Sequence, residues 1–331
     1  MPSSSRSWWI TWRGVGDGGR EDVRRMRTLL LDLWYAGHAV AAEAVGRFPS
    51  PRGRTAMIEG LGWLAFQLSR DKRRRVERHI DLAFGQDLDG AAKRAIARAC
   101  FNEFWREMVD WVPGAIEGPL PEDVPVQGID HLEQALAEGH GAILWESNGF
   151  GRRVQGKRVL AARGVRIYQT HGATHLGVLG TSPEPGTWIR RRLRERYVRR
   201  ECEFVAAVIE IPLDPSIAGG RAYLRHLRRN RVLCMAGDGQ IARRLYPVRL
   251  LGRTVQFAPG AVKLSRLSGA PLLPLFWMPG GDGAPALEIG PPLRPVGEGD
   301  EDVVRCLQGF ADALEKRVRR WPHAYRNWHM L

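Results

Sequence analysis

The stretch GHGAILWESNGFGRR, residues 139–153, decides the fold of this chain. Its apolar run at 142–145 predicts a buried strand, and the glycine-rich residues behind it predict a tight turn. A helix is expected to follow at 154–163. A strand, a turn and a helix in this order present side chains and backbone N–H groups at one edge of a sheet. We therefore expect a functional site at this turn.

Strands and helices alternate through the rest of the second part of the chain. Helices are predicted at 131–138, 187–200, 218–228, 260–268 and 302–319. Further strands are predicted at 124–128, 165–169, 205–211, 232–236, 272–277 and 287–289, with a hairpin at 246–257. The alternation predicts an α/β fold with a mostly parallel central sheet flanked by helices.

The first part of the chain has a helical pattern instead. Apolar residues recur at helical spacing in the segments 21–48, 55–69, 71–84 and 88–112. We expect a tail at 1–20, a helical N-terminal portion at 21–113 and an α/β domain at 114–331. The tail carries tryptophans beside arginines, which indicates either an interfacial anchor or a tail that is disordered or packs on the domain. These tryptophans are Trp8, Trp9 and Trp12.

The chain is strongly basic, with a net charge of +14 at pH 7 and 50 lysines and arginines. Arginine dominates, which fits either codon bias in a GC-rich genome or attraction to an anionic surface. The sequence has no zinc-finger spacing, no RNA-binding aromatic strand motif and no heptads behind a basic region. We therefore expect no nucleic-acid partner, and an anionic membrane surface is the expected one.

Cysteine spacing and apolar runs indicate the compartment. The four cysteines are far apart, so neither a disulfide framework nor a metal site is expected. They are Cys100, Cys202, Cys234 and Cys306. The first residues lack the apolar core of a signal peptide, and the most apolar run, 29–48, contains charged residues. We expect a cytoplasmic protein, either free or peripheral at the inner membrane.

Five segments resemble a known family. Segments 73–85, 126–144, 219–240, 248–276 and 319–331 are similar, in this order, to the lysophospholipid acyltransferase superfamily, and in particular to its bacterial lipid A biosynthesis branch. The resemblance covers most of residues 72–331. It implies a glycerolipid acyltransferase-like fold and transfer of a fatty acyl group to a hydroxyl acceptor. The donor would be a thioester of acyl carrier protein or coenzyme A, a co-substrate rather than a bound cofactor, and no metal is expected.

The catalytic motif of this family, His-x-x-x-x-Asp/Glu, is replaced in the chain. Aligned on Gly141, Asn148 stands at the histidine and Arg153 at the acid. The family chemistry needs an imidazole base, a carboxylate that orients it and donors for the oxyanion. An amide has no proton-accepting pKa in this range, and a guanidinium stays charged. The roles of the motif therefore do not carry over to Asn148 and Arg153.

Two replacements follow the strand at 142–145 directly. Glu146, at the strand mouth, is a candidate base if it is partly desolvated, or it forms an ion pair with Arg152 or Arg153. Ser147 is a candidate nucleophile, but it lacks a Gly-x-Ser-x-Gly setting, which favours a role in capping or backbone bonding.

A third replacement comes from the next strand end. His171 and His175 follow the predicted strand at 165–169, so either imidazole could reach the same sheet edge; the alternative is a pair of polar loop histidines. Their spacing would suit a metal on a helix, but Gly172 weakens that helix and no acidic third ligand is evident.

The turn itself suits an anion. Asn148, Gly149 and Gly151 allow close approach of the backbone and offer N–H groups to a phosphate or oxyanion. Arg152 and Arg153 add positive charge, unless they lie on a solvated helix face.

Asp238 and Arg243 mark a second strand end. Asp238, in AGDGQ, stands where open α/β sheets bind ligands, and it also suits a simple turn. Arg243 and its neighbour Arg244 could meet a phosphate or pantetheine. The arginine-dense helix at 187–200 offers a docking site for acidic acyl carrier protein or a lipid headgroup, or is a solvated face.

These observations leave alternatives from different classes. The leading hypothesis is an acyltransferase with a non-standard catalytic centre, acting on a hydroxyl or amine acceptor. The second is a catalytically silent protein of the same fold that binds an acyl chain or an anionic lipid. A third is a partner subunit that regulates another acyltransferase.

Overall fold

The computed structural model describes residues 17–115, 120–172, 175–180, 187–211, 217–240, 242–280 and 284–331. The tryptophan anchor expected at Trp8, Trp9 and Trp12 lies outside the described residues.

Within the described part of the chain, four helices precede the first strand. They are α1 Asp17–Gly46, α2 Pro51–Leu68, α3 Arg70–Phe84 and α4 Gly90–Asp110. Helix α2 begins earlier than predicted, because Ser50 caps it and Pro51 occupies its first turn. The Ser50 hydroxyl accepts from the Gly53 N–H at 3.3 Å. Asp89 caps α4 in the same way, accepting from the Ala92 N–H at 2.7 Å.

The rest of the described chain alternates strands and helices. The strands are β1 Val126–Gln127, β2 Ala142–Glu146, β3 Ile167–Gly172, β4 Ala207–Ile211, β5 Val232–Ala236, β6 Tyr246–Leu250, β7 Arg253–Phe257, β8 Leu272–Met278 and β9 Ala286–Ile289. The helices are α5 Ile129–Ala137, α6 Arg153–Ala162, α7 Trp188–Glu201, α8 Ile217–Leu227, α9 Gly260–Ser268 and α10 Asp300–Arg320.

Among the described residues, seven strands form one sheet in the order β1-β9-β8-β2-β5-β3-β4. Neighbouring strands run parallel except β8 and β9, which are antiparallel. The predicted α/β fold with a mostly parallel sheet is thus confirmed. Every residue of β2 is buried, as expected for a central strand covered on both faces. The predicted hairpin is also present, as the separate pair β6 and β7.

Two strand boundaries differ from the prediction in ways that matter for the site. Strand β1 has only two residues, since it pairs with β9 over that length alone. Strand β3 continues to Gly172, because its pairing with β4 extends through His171 opposite Glu210. The expectation that His171 follows the strand is therefore wrong, and its backbone is part of the sheet.

Candidate active site

The carboxyl ends of β2, β5 and β3 lie side by side, since β5 stands between the other two. In the register of β2 and β5, Glu146 is opposite Ala236. Open α/β sheets bind ligands outside such strand ends. The candidate site therefore consists of residues 147–152, which we call the β2 turn, residues 237–240 after β5, and His171 on β3.

Asp238 holds the β2 turn from one side. The Ser147 hydroxyl donates to Asp238 Oδ2 at 2.6 Å, and the Asn148 N–H donates to Oδ1 at 2.7 Å. Burial raises the pKa of Asp238, and these two hydrogen bonds oppose that rise. The Gly149 N–H donates to Ser147 Oγ at 3.1 Å. Both hydrogen-bonding functions of the Ser147 hydroxyl are engaged inside the turn, which favours its backbone-bonding role over that of a nucleophile.

Asn148 and Arg153, the two replaced motif positions, are in direct contact. Arg153 Nη1 donates to Asn148 Oδ1 at 3.1 Å. Arg153 is buried at the start of α6, and its backbone N–H donates to Glu107 Oε2 at 3.1 Å. Because Oδ1 of the amide faces Arg153, the Nδ2 group of Asn148 points away from it. The pair can therefore offer N–H donors but no base.

Glu146 is buried, with 2% of its surface exposed, rather than partly desolvated at a strand mouth. Its Oε1 lies 3.2 Å from Gln169 Nε2, 3.3 Å from Lys157 Nζ and 3.8 Å from Arg153 Nη1. Of the two arginines considered as its partners, Arg153 makes this contact. Arg152 instead pairs with Asp110, with Nε donating to Oδ2 at 2.8 Å.

A buried chain of charges connects Glu146 to His171. Lys157 Nζ lies 2.9 Å from Glu201 Oε1, and Glu201 Oε2 lies 2.9 Å from His171 Nε2. Burial acts to raise the pKa of Glu201, but Lys157 and His171 outweigh it and hold that pKa well below its ordinary value. Burial likewise acts to lower the pKa of Lys157, and Glu146 and Glu201 raise it instead. The charges of Lys157 and Glu201 therefore depend on their neighbours.

His175 lies against His171, with 4.4 Å between the ring centroids. Its Nε2 is buried and has no hydrogen-bond partner among the residues that the structure describes. Burial lowers the pKa of His175 well below 6.5, and His171 and Arg153 lower it further. The imidazole of His175 is therefore neutral at neutral pH. Over the described ranges, no group of three or more His, Cys, Asp or Glu side chains could hold a metal ion.

The glycines of the β2 turn serve close packing. The Gly149 N–H is engaged by Ser147, and the Gly151 N–H donates to Ala324 O at 3.0 Å. A Cβ on Gly149 would lie 2.5 Å from Asn327 Nδ2, and one on Gly151, where φ is +68°, would lie 2.5 Å from Trp277 O. The expectation that these two amides are free for an anion therefore does not hold. An anion at this turn would therefore have to be bound by side chains.

The remaining predicted arginines lie further out. Arg243 is exposed in the connection between β5 and β6. Arg244 pairs with Asp300, with 2.7 Å between Nη2 and Oδ2, and its guanidinium lies over the Tyr246 ring. Arg244 is thus engaged by residues outside the β2 turn.

Helix α7 uses part of its positive charge internally. Arg190 is buried against Asp32 of α1, with Nε donating to Oδ1 at 2.5 Å. Arg196 and Arg200 both donate to Glu43 of α1. These arginines tie α7 to α1, so only part of the basic helix faces outward as a docking surface would require.

Sequence reasoning does not identify Lys157, Glu201 or Glu107 as site residues. Lys157 and Glu201 are 44 positions apart, and Glu107 stands 46 positions before Arg153, so no local spacing pairs them. One signal is present in the sequence. Lys157 is one of five lysines in an arginine-rich chain, and an ammonium group suits a compact contact that a planar guanidinium does not.

Comparison with known proteins identifies the family. The family described as bacterial lipid A biosynthesis acyltransferase matches residues 24–147 and 179–331. The phosphatidylinositol mannoside acyltransferase of Mycolicibacterium smegmatis is 27% identical over 238 residues, which cover 70% of this chain and 69% of that protein. The protein of the same name in Mycobacterium tuberculosis is 25% identical over 238 residues, covering 70% of this chain and 66% of that protein.

The family match covers most of the chain on both sides of the site. It stops at residue 147 and resumes at residue 179, so it leaves out most of the β2 turn, α6 and both histidines. The fold, the order of the resembling segments and this match agree. The chain therefore belongs to the bacterial lipid A biosynthesis acyltransferase family, and it is an acyltransferase.

Proposed function

We propose that this chain transfers an acyl group from a thioester of coenzyme A or acyl carrier protein to a hydroxyl or amine acceptor, with His171 as the base. The observation that carries the proposal is the 2.9 Å contact between Glu201 Oε2 and His171 Nε2 at the carboxyl edge of the sheet. The names of the relatives favour a sugar hydroxyl on an anionic glycolipid as the acceptor. Amines remain the alternative acceptor class.

The environment of His171 suits a general base. A carboxylate bonded to one imidazole nitrogen fixes the tautomer and stabilises the imidazolium that forms. Nε2 of His171 contacts Glu201, so Nδ1 is the nitrogen that takes the acceptor proton in this proposal. Lys157 keeps Glu201 ionised, and the neutral His175 adds no competing charge. His171 thus takes over the role of the missing motif histidine from β3, which is separated from β2 by β5.

The reaction follows from these positions. Nδ1 of His171 takes the proton of the acceptor as its oxygen or nitrogen bonds to the thioester carbonyl carbon. The resulting oxyanion is stabilised by donors from the Asn148 amide and the Arg153 guanidinium. The C–S bond then breaks, and the leaving thiolate takes the proton from the imidazolium. In this scheme Asp238 positions Asn148 through its backbone N–H.

Glu146 is the alternative base. Its carboxylate oxygen already faces Gln169, Lys157 and Arg153, which favours balancing of the buried cations. We therefore assign it an electrostatic role. A Glu146→Gln variant that folds but has lost all turnover, while His171→Gln keeps it, would move the base to Glu146.

The first experiment is an acyl-transfer assay followed by mass spectrometry. Purified protein receives palmitoyl-coenzyme A or palmitoyl-acyl carrier protein together with a bacterial lipid extract, and new acylated products are identified by mass. We expect His171→Gln and Glu201→Gln to lower turnover by about 100-fold to 10,000-fold, the usual contribution of an acid–base group. His226→Gln on α8 is the matched control, since His226 lies against Tyr168 and Arg231 instead.

Each result decides the proposal. Normal turnover in His171→Gln would overturn the assignment of the base. The replaced motif at Asn148 favours a second candidate, a silent binding protein. Intact thioester with lipid bound to the wild-type protein, and no new product, would establish that alternative.

A membrane surface is the proposed location of the acceptor. Helix α1 exposes a stripe of large apolar residues at helical spacing: Met26, Leu29, Leu30, Leu33, Trp34 and Val40. In the parts of the chain that the structure describes, no helix is long and apolar enough to cross a bilayer. A helix with an apolar face on a basic protein suits the interface of an anionic membrane, where the apolar face is buried among the headgroups.

Vesicle sedimentation tests this surface. We expect the protein to sediment with phosphatidylglycerol vesicles and weakly with phosphatidylcholine vesicles. Leu29→Asp combined with Leu33→Asp should reduce binding by about 10-fold or more, because both charges enter the apolar face. Leu267→Asp on α9, at another exposed leucine, is the control. Equal loss in both variants would contradict the assignment to α1.

A further inference from the structure

We infer that Arg326 is a positioning residue for acyl transfer, and that residues 321–331, which we call the brace, hold the β2 turn in its working shape. The inference rests on the proposed function, since it gives the turn a part in catalysis. Arg326 lies 175 and 178 positions from the turn residues that its side chain contacts, so the two segments are joined by long-range contacts.

Arg326 donates hydrogen bonds to carbonyl oxygens of the β2 turn. Its Nη2 donates to Asn148 O at 3.2 Å, and its Nη1 donates to Gly151 O. Its backbone N–H donates to Gly149 O at 2.7 Å. In return, the Gly151 N–H donates to Ala324 O, which completes a short antiparallel bridge. One residue thus satisfies three carbonyl oxygens of the turn.

The brace is fixed by its own packing. The Trp328 ring is fully buried, and its indole N–H donates to Pro322 O at 2.9 Å. His79 of α3 forms a hydrogen bond to Trp328 O at 2.6 Å. Asn327 lies so close to Gly149 that no Cβ would fit between them. The brace therefore presents Arg326 to the turn with little freedom.

Arg326 contacts the same buried carboxylate as Arg153, one of the two replaced motif positions. Arg326 is 7% exposed, and its Nη2 lies 4.0 Å from Glu107 Oε1. Glu107 also lies 3.6 Å from Arg153 Nε, so one buried carboxylate lies between the two guanidinium groups. Burial lowers the pKa of Arg326, and Glu107 opposes that fall. An arginine remains charged at neutral pH in spite of this lowering.

This arrangement has a consequence for the oxyanion. The carbonyl oxygens of Asn148 and Gly151 are turned toward Arg326 and away from the place where negative charge develops. If they were released, a carbonyl dipole could rotate into the site, and the Asn148 amide would shift. Displacement of a donor by a fraction of an ångström weakens transition-state binding more than substrate binding. Arg326 therefore acts on kcat through Asn148.

The test compares Arg326→Lys with Arg326→Ala. Lysine keeps the charge but cannot bridge two carbonyl oxygens as a planar guanidinium does. We expect Arg326→Lys to lower kcat by about 10-fold to 100-fold with KM changed by less than about 3-fold. We expect added guanidinium ion to restore part of the kcat of Arg326→Ala. Arg319→Lys, at an exposed arginine on Glu315, is the control and should match the wild type.

Hydrogen exchange gives a readout that does not depend on turnover. Amides of residues 147–153 should exchange about 10-fold faster in Arg326→Lys than in the wild type, because the turn opens more often. Unchanged exchange, or an unchanged kcat, would overturn the inference. Turnover that survives His171→Gln but falls in Arg326→Lys would overturn the proposed base alone. The opposite pattern would overturn the role of Arg326 alone.

Discussion

The β2 turn and the end of β3 lie at the same edge of the sheet but are held in different ways. Backbone hydrogen bonds and close glycine contacts fix the turn, with Asp238 on one side and Arg326 on the other. Glu201, which is ion-paired with Lys157, contacts His171 and fixes it. The difference matches the chemistry proposed for each place. Oxyanion donors need exact placement, whereas a base needs a controlled charge.

Lys157→Met tests whether buried charges hold the end of β3, and we expect it to give the largest loss of stability. The change leaves Glu146 and Glu201 buried without their shared cation. Breaking a buried ion pair in this way costs about 3–5 kcal/mol. We expect the free energy of unfolding, measured by urea denaturation, to fall by that amount.

Lys93→Met is the control for this prediction. Lys93 Nζ lies 2.5 Å from Asp81 Oδ1, but the Asp81 side chain is 66% exposed. Surface pairs contribute about 0–1 kcal/mol, so this variant should unfold almost as the wild type does. Equal losses in the two lysine variants would show that the β3 end does not depend on buried charge.

Gly151→Ala tests the backbone-held turn. Alanine at φ +68° is strained, and its Cβ would lie 2.5 Å from Trp277 O. Left-handed strain and overpacking together cost about 2–4 kcal/mol. Gly164 has a similar φ of +76°, with open space where a Cβ would be. Gly164→Ala therefore measures the backbone strain alone, about 1 kcal/mol of stability. The difference between the two variants in thermal unfolding measures the close contact, and its absence would contradict the packing of the turn.

Much of the fold could be predicted from the sequence because strand and helix patterns are local. The apolar run at 142–145 is short and lies between Gly141 and a glycine-containing turn, which favours a strand over a helix. The position of Asp238 at a strand end follows from the same reasoning. The length of β3 does not, since the pairing of His171 opposite Glu210 is decided by a neighbouring strand.

The site was harder to predict because its contacts are long-range. The resemblance identified Asn148 and Arg153 as replaced positions, and the structure shows them in contact. Nothing in their own segment indicates that Glu201 would reach His171 or that Arg326 would reach the turn. Such pairs form only when helices from distant parts of the chain pack on the same edge of the sheet.

The smallest expected effect on stability is that of pH, and it tests the packing of the brace, which holds the β2 turn. Burial, followed by the charge of Lys72, holds the pKa of His329 at about 3, below its ordinary value of 6.5. Between these values the unfolded chain binds more protons, so this histidine lowers the stability as the pH falls below 6.5. Between about pH 7 and about pH 5, the free energy of unfolding of His329→Gln should therefore fall by about 1–2 kcal/mol less than that of the wild type. Parallel pH profiles in urea denaturation would contradict this.

Helix α7 connects helix α1 to the carboxyl end of β3. Arg190 in its first turn is bound to Asp32 of α1, and Glu201 at its last residue holds His171. The helix has 14 residues and is therefore about 20 Å long. Arg196 and Arg200, nearer the other end of α7, donate to Glu43 of the same helix α1. The contact on His171 is thus supported from outside the sheet, by a carboxylate whose helix is fixed to α1 along its length.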